Sequence, residues 1–332
     1  MKLVTFISPN SFQTLPPVKQ IYNHFKKNSS VSIIQSKIQE YDNFFNVDDD
    51  YHVVNVYNTY KKYHKQTKKD KIRKIVRFIF IFIRLKLSKN HKNYNIIYSC
   101  ELFPLFISML LKNKNEKIVY HQFEVLNNYL NLIDSLSYWY IKRNFKKVDL
   151  AIFPEKNRAE HFSKKINDIS SDQLFVLPNT NNNLELKTST IENNKVIITH
   201  IGAVGINHNI ANFMNAISNL DKSHYEIRFI GRLTPEVQNL VKSFNLDNVK
   251  VFGQVRHSQL EKYYLETNIG IILYRDVGVN YRFCAPNKLY EYWSYGIPVL
   301  GDELPGLQSV FQENFLGELV DMSDSRNISQ AI

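Results

Sequence analysis

Strand-like and helical patterns alternate along this chain from end to end, and that alternation restricts it to α/β folds built on parallel sheets. Short apolar runs at residues 3–7, 31–35, 53–57, 95–98, 117–121 and 150–153 read as strands. Helical spacing fills several of the gaps, notably residues 102–111 and 128–148. Runs this apolar suit strands buried on both faces, which a parallel sheet between two helix layers provides. From Asn179 the composition turns polar as far as Asn194, with no apolar periodicity, as a linker would. The alternation then restarts, with strands at 196–201, 225–230, 249–252, 269–273 and 298–300 and helices at 209–220, 235–244 and 257–266.

The fold class expected is therefore α/β, with two Rossmann-like domains facing a cleft: residues 1–180, a linker at 181–194, and residues 195–332. A length of 332 residues accommodates two such domains. Ligands of these sheets sit at the carboxyl ends of the strands. The last four residues, from Ser329, read as a helix beginning, so the C-terminal crossover helix is expected to be incomplete.

Composition excludes several classes. Two cysteines, Cys100 and Cys284, match no metal-ligand spacing and make no disulfide scaffold, which suits a reducing cytosol. The apolar run at the N-terminus is shorter than the core of a signal peptide and reads as a first strand. No stretch approaches the roughly 18 apolar residues that a spanning helix needs.

The formal charge of +11 is concentrated in one place. Between Lys61 and Lys92 thirteen Lys and Arg residues face the single Asp70, and the rest of the chain is close to neutral. Ile72, Ile75, Val76, Ile79, Phe80 and Ile83 follow helical spacing there, with Lys71, Arg73, Lys74, Arg77 and Arg84 in the remaining positions. Such a helix suits an anionic membrane surface, where each cation contributes on the order of 1 kcal/mol. The plain alternative is a sheet-covering helix with a solvated basic face. No nucleic-acid motif or stacking array accompanies the charge, so a nucleic-acid partner is not expected.

The strongest local pattern is Ala285-Pro-Asn-Lys-Leu-Tyr-Glu-Tyr-Trp-Ser-Tyr-Gly-Ile-Pro-Val-Leu300. It predicts a helix opened by Pro286, stopped by Gly296 in a left-handed conformation, and followed by a buried strand. Lys288 and Glu291 share a face near the helix start. Free N–H groups and the positive end of the helix dipole favour a phosphate there, and a carboxylate can accept both ribose hydroxyls. A solvated ion pair on a surface helix is the alternative.

The segment from Ala285 to Gly306, including the loop Asp302-Glu-Leu-Pro-Gly306, closely resembles the donor-binding signature of family 4 (group 1) glycosyltransferases, which have the GT-B fold. Weaker similarity extends over nearly the whole chain, at Val176-Leu-Pro-Asn179, Thr199-His-Ile-Gly202, Phe229-Ile-Gly231 and Val249-Lys-Val-Phe-Gly-Gln-Val255. The resemblance implies transfer of a sugar from a nucleotide-sugar, usually with retention, without a bound metal or other cofactor. It places Glu291 on the ribose, Lys288 near the diphosphate or base, and Gly202 at the turn of the first donor-domain strand.

Two departures stand out. Where the family commonly has Arg after the turn glycine and Lys six residues after that glycine, this chain has Ala203 and His208. A protonated His208, with Arg282 or Arg232, would have to supply the positive charge, and the three are expected to converge near Glu291. Eight residues before Glu291, where the family often has Glu, stands Phe283, a packing residue. On the acceptor side, Tyr120-His-Gln-Phe-Glu124 ends a strand, and the resemblance places His121 at the reaction centre with Glu124 nearby. Cys100, Glu101 and the loop Ser8-Pro-Asn-Ser-Phe-Gln13 are expected at the same edge. The run Asp48-Asp-Asp50 is too compact to supply a cation's oxygen ligands alone.

The expected function is hexosyl transfer from a UDP- or GDP-sugar to a glycan acceptor, lipid-linked, in polysaccharide or cell-envelope biosynthesis. The expected location is cytoplasmic, peripheral at the inner face of the cell membrane. Two rivals are a non-catalytic GT-B protein that binds glycan or stabilises a partner transferase, and a sugar-nucleotide epimerase of the same shape.

Overall fold

The computed structural model describes residues 2–8, 16–37, 53–58, 95–125, 132–166, 169–180, 195–311 and 316–332. The chain divides into two compact units, Met1–Pro154 with Arg158–Leu177, and Glu155–Asn157 with Pro178–Ile332. The basic segment around Lys71–Arg84, Asp48–Asp50, most of the loop after the first strand and the linker at 181–194 lie outside the described residues.

The first unit is built on β1 (Lys2–Ser8), β2 (Ser29–Lys37), β3 (Val53–Asn58), β4 (Ile96–Cys100), β5 (Lys117–His121), β6 (Leu150–Phe153) and β7 (Leu174–Val176). They form one parallel sheet in the order β3-β2-β1-β4-β5-β6-β7. Its helices are α1 (Pro16–Lys26), α2 (Leu102–Leu111), α3 (Leu132–Asn144) and, from Arg158 on, α4 (Lys156–Ser163). One core cluster gathers Leu105, Ile118, Tyr120, Phe145, Phe153 and Phe162, and another Val4, Phe6, Val18, Tyr22 and Tyr98. α2 is apolar nearly all round because it is enclosed on most sides. Its one buried hydroxyl, Ser108, donates to the Pro104 carbonyl at 2.8 Å and meets Ser99 Oγ at 2.6 Å.

The second unit has β8 (Val196–Ile201), β9 (Tyr225–Ile230), β10 (Val249–Gly253), β11 (Ile269–Ile272), β12 (Val299–Asp302) and β13 (Gly317–Val320). They pair in parallel in the order β10-β9-β8-β11-β12-β13. Helices α5 (Ile210–Ser218), α6 (Pro235–Ser243) and α11 (Ser325–Ala331) contribute to a core with Phe213, Phe229, Ile271 and Leu300. α7 (Leu260–Leu265), α9 (Asn287–Ser294) and α10 (Pro305–Phe311) contribute to a second with Leu289, Tyr292 and Leu307. A short α8 (Val279–Arg282) precedes α9. In both sheets the strand order reverses next to the first strand, between β1 and β4 and between β8 and β11, which is where such sheets open a crevice.

The expected strands are present, and two edge strands were not expected. β7 is three residues long with Phe175 half exposed, and β13 is largely exposed, so neither carries the apolar run that marks an interior strand. The reading of a helix that begins at Ser329 is corrected: α11 begins at Ser325, because Asp324 accepts the Arg326 N–H at 2.9 Å and caps it. Pro286 is the N-cap of α9 rather than its first residue, and Gly296 has the left-handed φ of 68° expected beyond the helix end. Among the described residues no helix is long and apolar enough to cross a membrane.

β8 and β9 end on glycines that approach each other. Gly231 has φ 135°, and a Cβ there would stand 2.0 Å from the Gly202 carbonyl oxygen. Gly231→Ala combines a forbidden backbone conformation with a steric clash, so it is expected to destabilise the second unit by about 2–4 kcal/mol. Urea unfolding followed by a probe in that unit checks this; an unchanged midpoint would contradict the close packing.

Candidate functional site

At the reversal between β8 and β11 the ladder pairs only Ile198 with Ile269 and Thr199 with Gly270. Beyond them side chains fill the gap. The Tyr292 hydroxyl donates to the Thr199 carbonyl at 2.7 Å and accepts the Ile201 N–H at 2.9 Å. Its ring lies against Gly270, where a Cβ would come within 2.6 Å of it. α9 is thereby fastened to the end of the first strand of this sheet, and the residue before Tyr292 in the chain is Glu291.

Glu291 is buried, 5 % exposed. Lys288, one turn earlier, donates to its Oε2 at 2.5 Å, and the Tyr264 hydroxyl donates to the same oxygen. The Tyr264 ring stacks on Tyr295 at 4.8 Å, and burial raises its hydroxyl pKa well above the usual value. Two donors and the dipole of a helix start together compensate a carboxylate that burial alone would penalise.

The turn after β8 lies close by. Gly202 has φ 143°, and its N–H donates to the Ile230 carbonyl at 2.8 Å. His200, the second residue before it, is buried; its Nδ1 lies 3.1 Å from the Ile271 carbonyl, across the opened ladder. A carbonyl only accepts, so Nδ1 carries the proton and Nε2 is a bare acceptor without a partner. Burial, helped by nearby His208 and Lys288, lowers the His200 pKa to about 3. The His208 ring stands 6.4 Å from that of His200, and Tyr274 and Tyr281 flank it at 5.4 and 6.3 Å. His208 Nδ1 faces its own turn at Gly205, accepting the Gly205 N–H at 3.2 Å with the carbonyl oxygen 3.1 Å away, and burial lowers its pKa too.

Of the three cations expected to converge near Glu291, His208 stands at this turn beside His200, and His200 also faces Lys288. Arg282 instead lines a cavity of about 660 Å³ with Asn209, Arg275, Asp276, Asp302 and Glu303, its Nη1 3.7 Å from Asp276 Oδ2. Asn209, the N-cap of α5, donates to Asp302 Oδ2 at 3.0 Å. Arg232 is exposed, and its carbonyl accepts the Val204 N–H at 2.9 Å. Phe283 is half-buried at the end of α8, where its neighbour Cys284 is covered by the backbone around Gly306. Cys284 and Cys100 are buried, and neither is in a disulfide.

In the first unit His121 ends β5 fully buried, with Nδ1 2.7 Å from the Tyr98 hydroxyl, Nε2 without a partner, and Phe123 packed against its ring at 4.1 Å. Burial lowers its pKa to about 3, so the imidazole is neutral in any physiological buffer. Glu124, three residues beyond the end of β5, is exposed. Between them sits a residue with a stronger constraint. Glu101 has φ 69° and ψ 171°, a region that side chains rarely adopt, and its Oε1 accepts the N–H groups of Phe123 and Glu124 at 3.0 and 3.2 Å. Its own N–H donates to the His121 carbonyl at 2.9 Å. Burial raises the Glu101 pKa to about 8. Among the described residues no cluster of three or more His, Cys, Asp or Glu side chains has the geometry of a metal site.

Residues 195–332 match the family model of glycosyl transferases group 1. The second unit belongs to that family. A curated relative, an uncharacterised 41.2 kDa protein from the cps region of Klebsiella pneumoniae, is 24 % identical over 254 residues, which span 76 % of this chain and 64 % of the relative. Among solved structures, the lipopolysaccharide outer core galactosyltransferase WaaB superposes with a TM-score of 0.67 at 10 % identity, over 99 % of this chain and 88 % of that one. Anabaena HepE, solved with UDP and glucose, gives 0.68 at 11 % identity over the same shares. UDP-GlcNAc 2-epimerase from Methanocaldococcus jannaschii gives 0.60 at 11 %, over 100 % and 91 %. At these identities the likeness speaks for the GT-B fold, which glycosyltransferases share with epimerases.

Within the glycosyl transferase domain, sequence reasoning missed His200, Tyr264 and Tyr292. Tyr292 was legible as a core position of the helix, but its hydroxyl has two backbone partners that are distant in sequence. His200 reads as an interior strand residue; only the opened ladder beside it explains an imidazole there.

A carboxyl with a raised pKa is protonated more readily in the folded than in the unfolded chain, so it penalises folding as pH rises from the ordinary carboxylate range towards 8. Glu101→Gln is expected to remove that slope: thermal midpoints of wild type and variant should diverge, to the variant's advantage, between pH 5 and pH 8. Parallel midpoints across that range would mean that the carboxyl is ionised in the native state.

Proposed function

We propose that this protein transfers a sugar from a nucleotide-sugar, UDP- or GDP-linked, to a glycan acceptor in polysaccharide or cell-envelope biosynthesis, with retention and without a resident metal or cofactor. The observation that carries the reading is the pair of buried Glu291 and half-buried Lys288, fastened by Tyr292 to the strand-order reversal of a group 1 glycosyl transferase domain. A ribose brings two vicinal hydroxyls to the carboxylate, and Lys288 is one turn away for the diphosphate. The leaving diphosphate gathers charge as the glycosidic bond breaks, and Lys288, the Gly202 turn and His208 are the groups placed to stabilise it. The bound UDP of a GT-B neighbour and the cps-region origin of the curated relative support the same setting.

On the acceptor side, neutral His121 offers an unpaired Nε2 to a hydroxyl, and the exposed Glu124 stands next to the backbone held by Glu101. The basic residues Lys71, Arg73, Lys74, Arg77 and Arg84 are the basis for a lipid-linked acceptor at the inner face of the cell membrane. Ala203 and Phe283, in place of a cation and a carboxylate of the family pattern, favour a second reading as a non-catalytic GT-B protein that binds a glycan or stabilises a partner transferase.

Isothermal titration with UDP and GDP separates the two. Binding of one nucleotide, weakened at least about a hundredfold in Glu291→Ala, is the expected result; a loss of that size is about 2.7 kcal/mol. A folded protein that binds neither nucleotide would reject the donor site and leave the non-catalytic reading.

A further inference from the structure

Beside the turn that follows β8 this chain has Ala203 and two histidines, His200 and His208. We propose that His200 and His208 form a proton-coupled phosphate site: a proton from solvent enters the pair when the diphosphate of a nucleotide-sugar docks on the Gly202 turn. The inference rests on the donor-site reading above and adds a residue and a proton to it.

Three observations carry it. First, the hydrogen bond of His200 to the Ile271 carbonyl settles its tautomer, which leaves Nε2 as a buried acceptor with nothing to accept from. An unpaired buried acceptor costs stability, and such atoms persist where a ligand or a proton completes them. Second, Nε2 is directed at the turn itself. The space that a Cβ would occupy on Gly202 lies 3.6 Å from Nε2, with no other non-neighbouring atom within 4 Å. A diphosphate oxygen there needs about half an ångström of closure to reach hydrogen-bond distance, and because it only accepts, it is a partner only if Nε2 carries a proton. Third, His208 turns Nδ1 inward to Gly205, so Nε2 is the nitrogen it has left for a ligand, and its ring is adjacent to that of His200.

The surrounding charges allow the uptake. His200 faces His208 and Lys288, and Lys288 is neutralised by Glu291. His208 is flanked by Tyr274 and Tyr281, and Asn209 links its neighbourhood to Asp302, with Arg275, Asp276 and Arg282 further round the same cavity. Burial, with His208 and Lys288 adding to it, disfavours the charged form of His200, and burial lowers the His208 pKa as well. A diphosphate reverses that balance by placing anionic oxygens beside them.

The test is calorimetric titration of the wild-type chain with UDP-glucose and GDP-mannose, whose diphosphates do not titrate between pH 5.5 and 8.5. Repeating it in buffers of different ionisation enthalpy counts protons. Wild type should take up about one proton at neutral pH, and its Kd should rise with pH, by at most about tenfold per unit for one proton. His200→Phe and His208→Gln should each lower the uptake by half or more, and His208→Lys, a fixed cation, should bind with no pH dependence over this range. Binding without proton uptake, or uptake unchanged in both single variants, would overturn the proposal while leaving the donor site intact. Uptake lost in His208→Gln but whole in His200→Phe would remove His200 from it. Absence of binding to either nucleotide-sugar at every pH, by folded protein, would instead overturn the donor-site reading and this one with it. The wild-type proton count needs no variant to fold.

Discussion

The hydroxyl of Tyr292 holds the second unit's candidate site together. Where the strand order reverses, β8 and β11 stop pairing, and the backbone groups of Thr199 and Ile201 would otherwise face a widening gap. One side chain supplies both missing partners, donating to a carbonyl and accepting an N–H from the same strand. Buried backbone groups must be paired, so this is a strong tie. It also determines where α9 starts and how it is rotated, and therefore where Glu291 and Lys288 lie relative to the turn at Gly202. Gly270 is part of the same arrangement, since any side chain there would push the tyrosine ring away.

Around that tie the domain gathers few permanent charges. Glu291 is matched by Lys288 and Tyr264, the two histidines are neutral, and Arg282 faces Asp276 at the cavity. Partner-matched burial of a carboxylate is stable only while its donors remain, because an uncompensated buried charge costs several kcal/mol. A ligand that offers hydroxyls to Glu291 and phosphate to Lys288 exchanges one set of partners for another without stranding either group. The first unit uses the opposite device: Glu101 is held in an unfavourable backbone conformation by two N–H groups of the segment leaving β5, and so fixes the residues that follow His121.

Much of this was legible in the residues. The alternation of apolar runs and helical spacing identified the interior strands of both sheets, because a strand buried on both faces has no room for polar residues. The edge strands β7 and β13 escaped, since an exposed strand carries no such run. Pro286 and Gly296 marked the limits of α9 through their own backbone restrictions, within one residue at its start. The cap at Asp324 was missed because a carboxylate two residues before an arginine is common in loops too, and only its hydrogen bond to the Arg326 N–H makes it a helix start.

What the sequence by itself determined is the kind of protein: two parallel α/β units, the second with a carboxylate and a lysine one helical turn apart in a family's donor-site pattern. Those features are local, set by periodicity, backbone restriction and spacing of three or four residues. The tertiary structure alone decided which groups meet. His200 bonds Ile271 and Tyr292 bonds Thr199 across separations of 71 and 93 residues, and Arg282 meets Asp276 at the cavity that Asn209 also lines. The physical reason is that such contacts depend on where two strands cease to pair, which follows from the packing of the whole sheet.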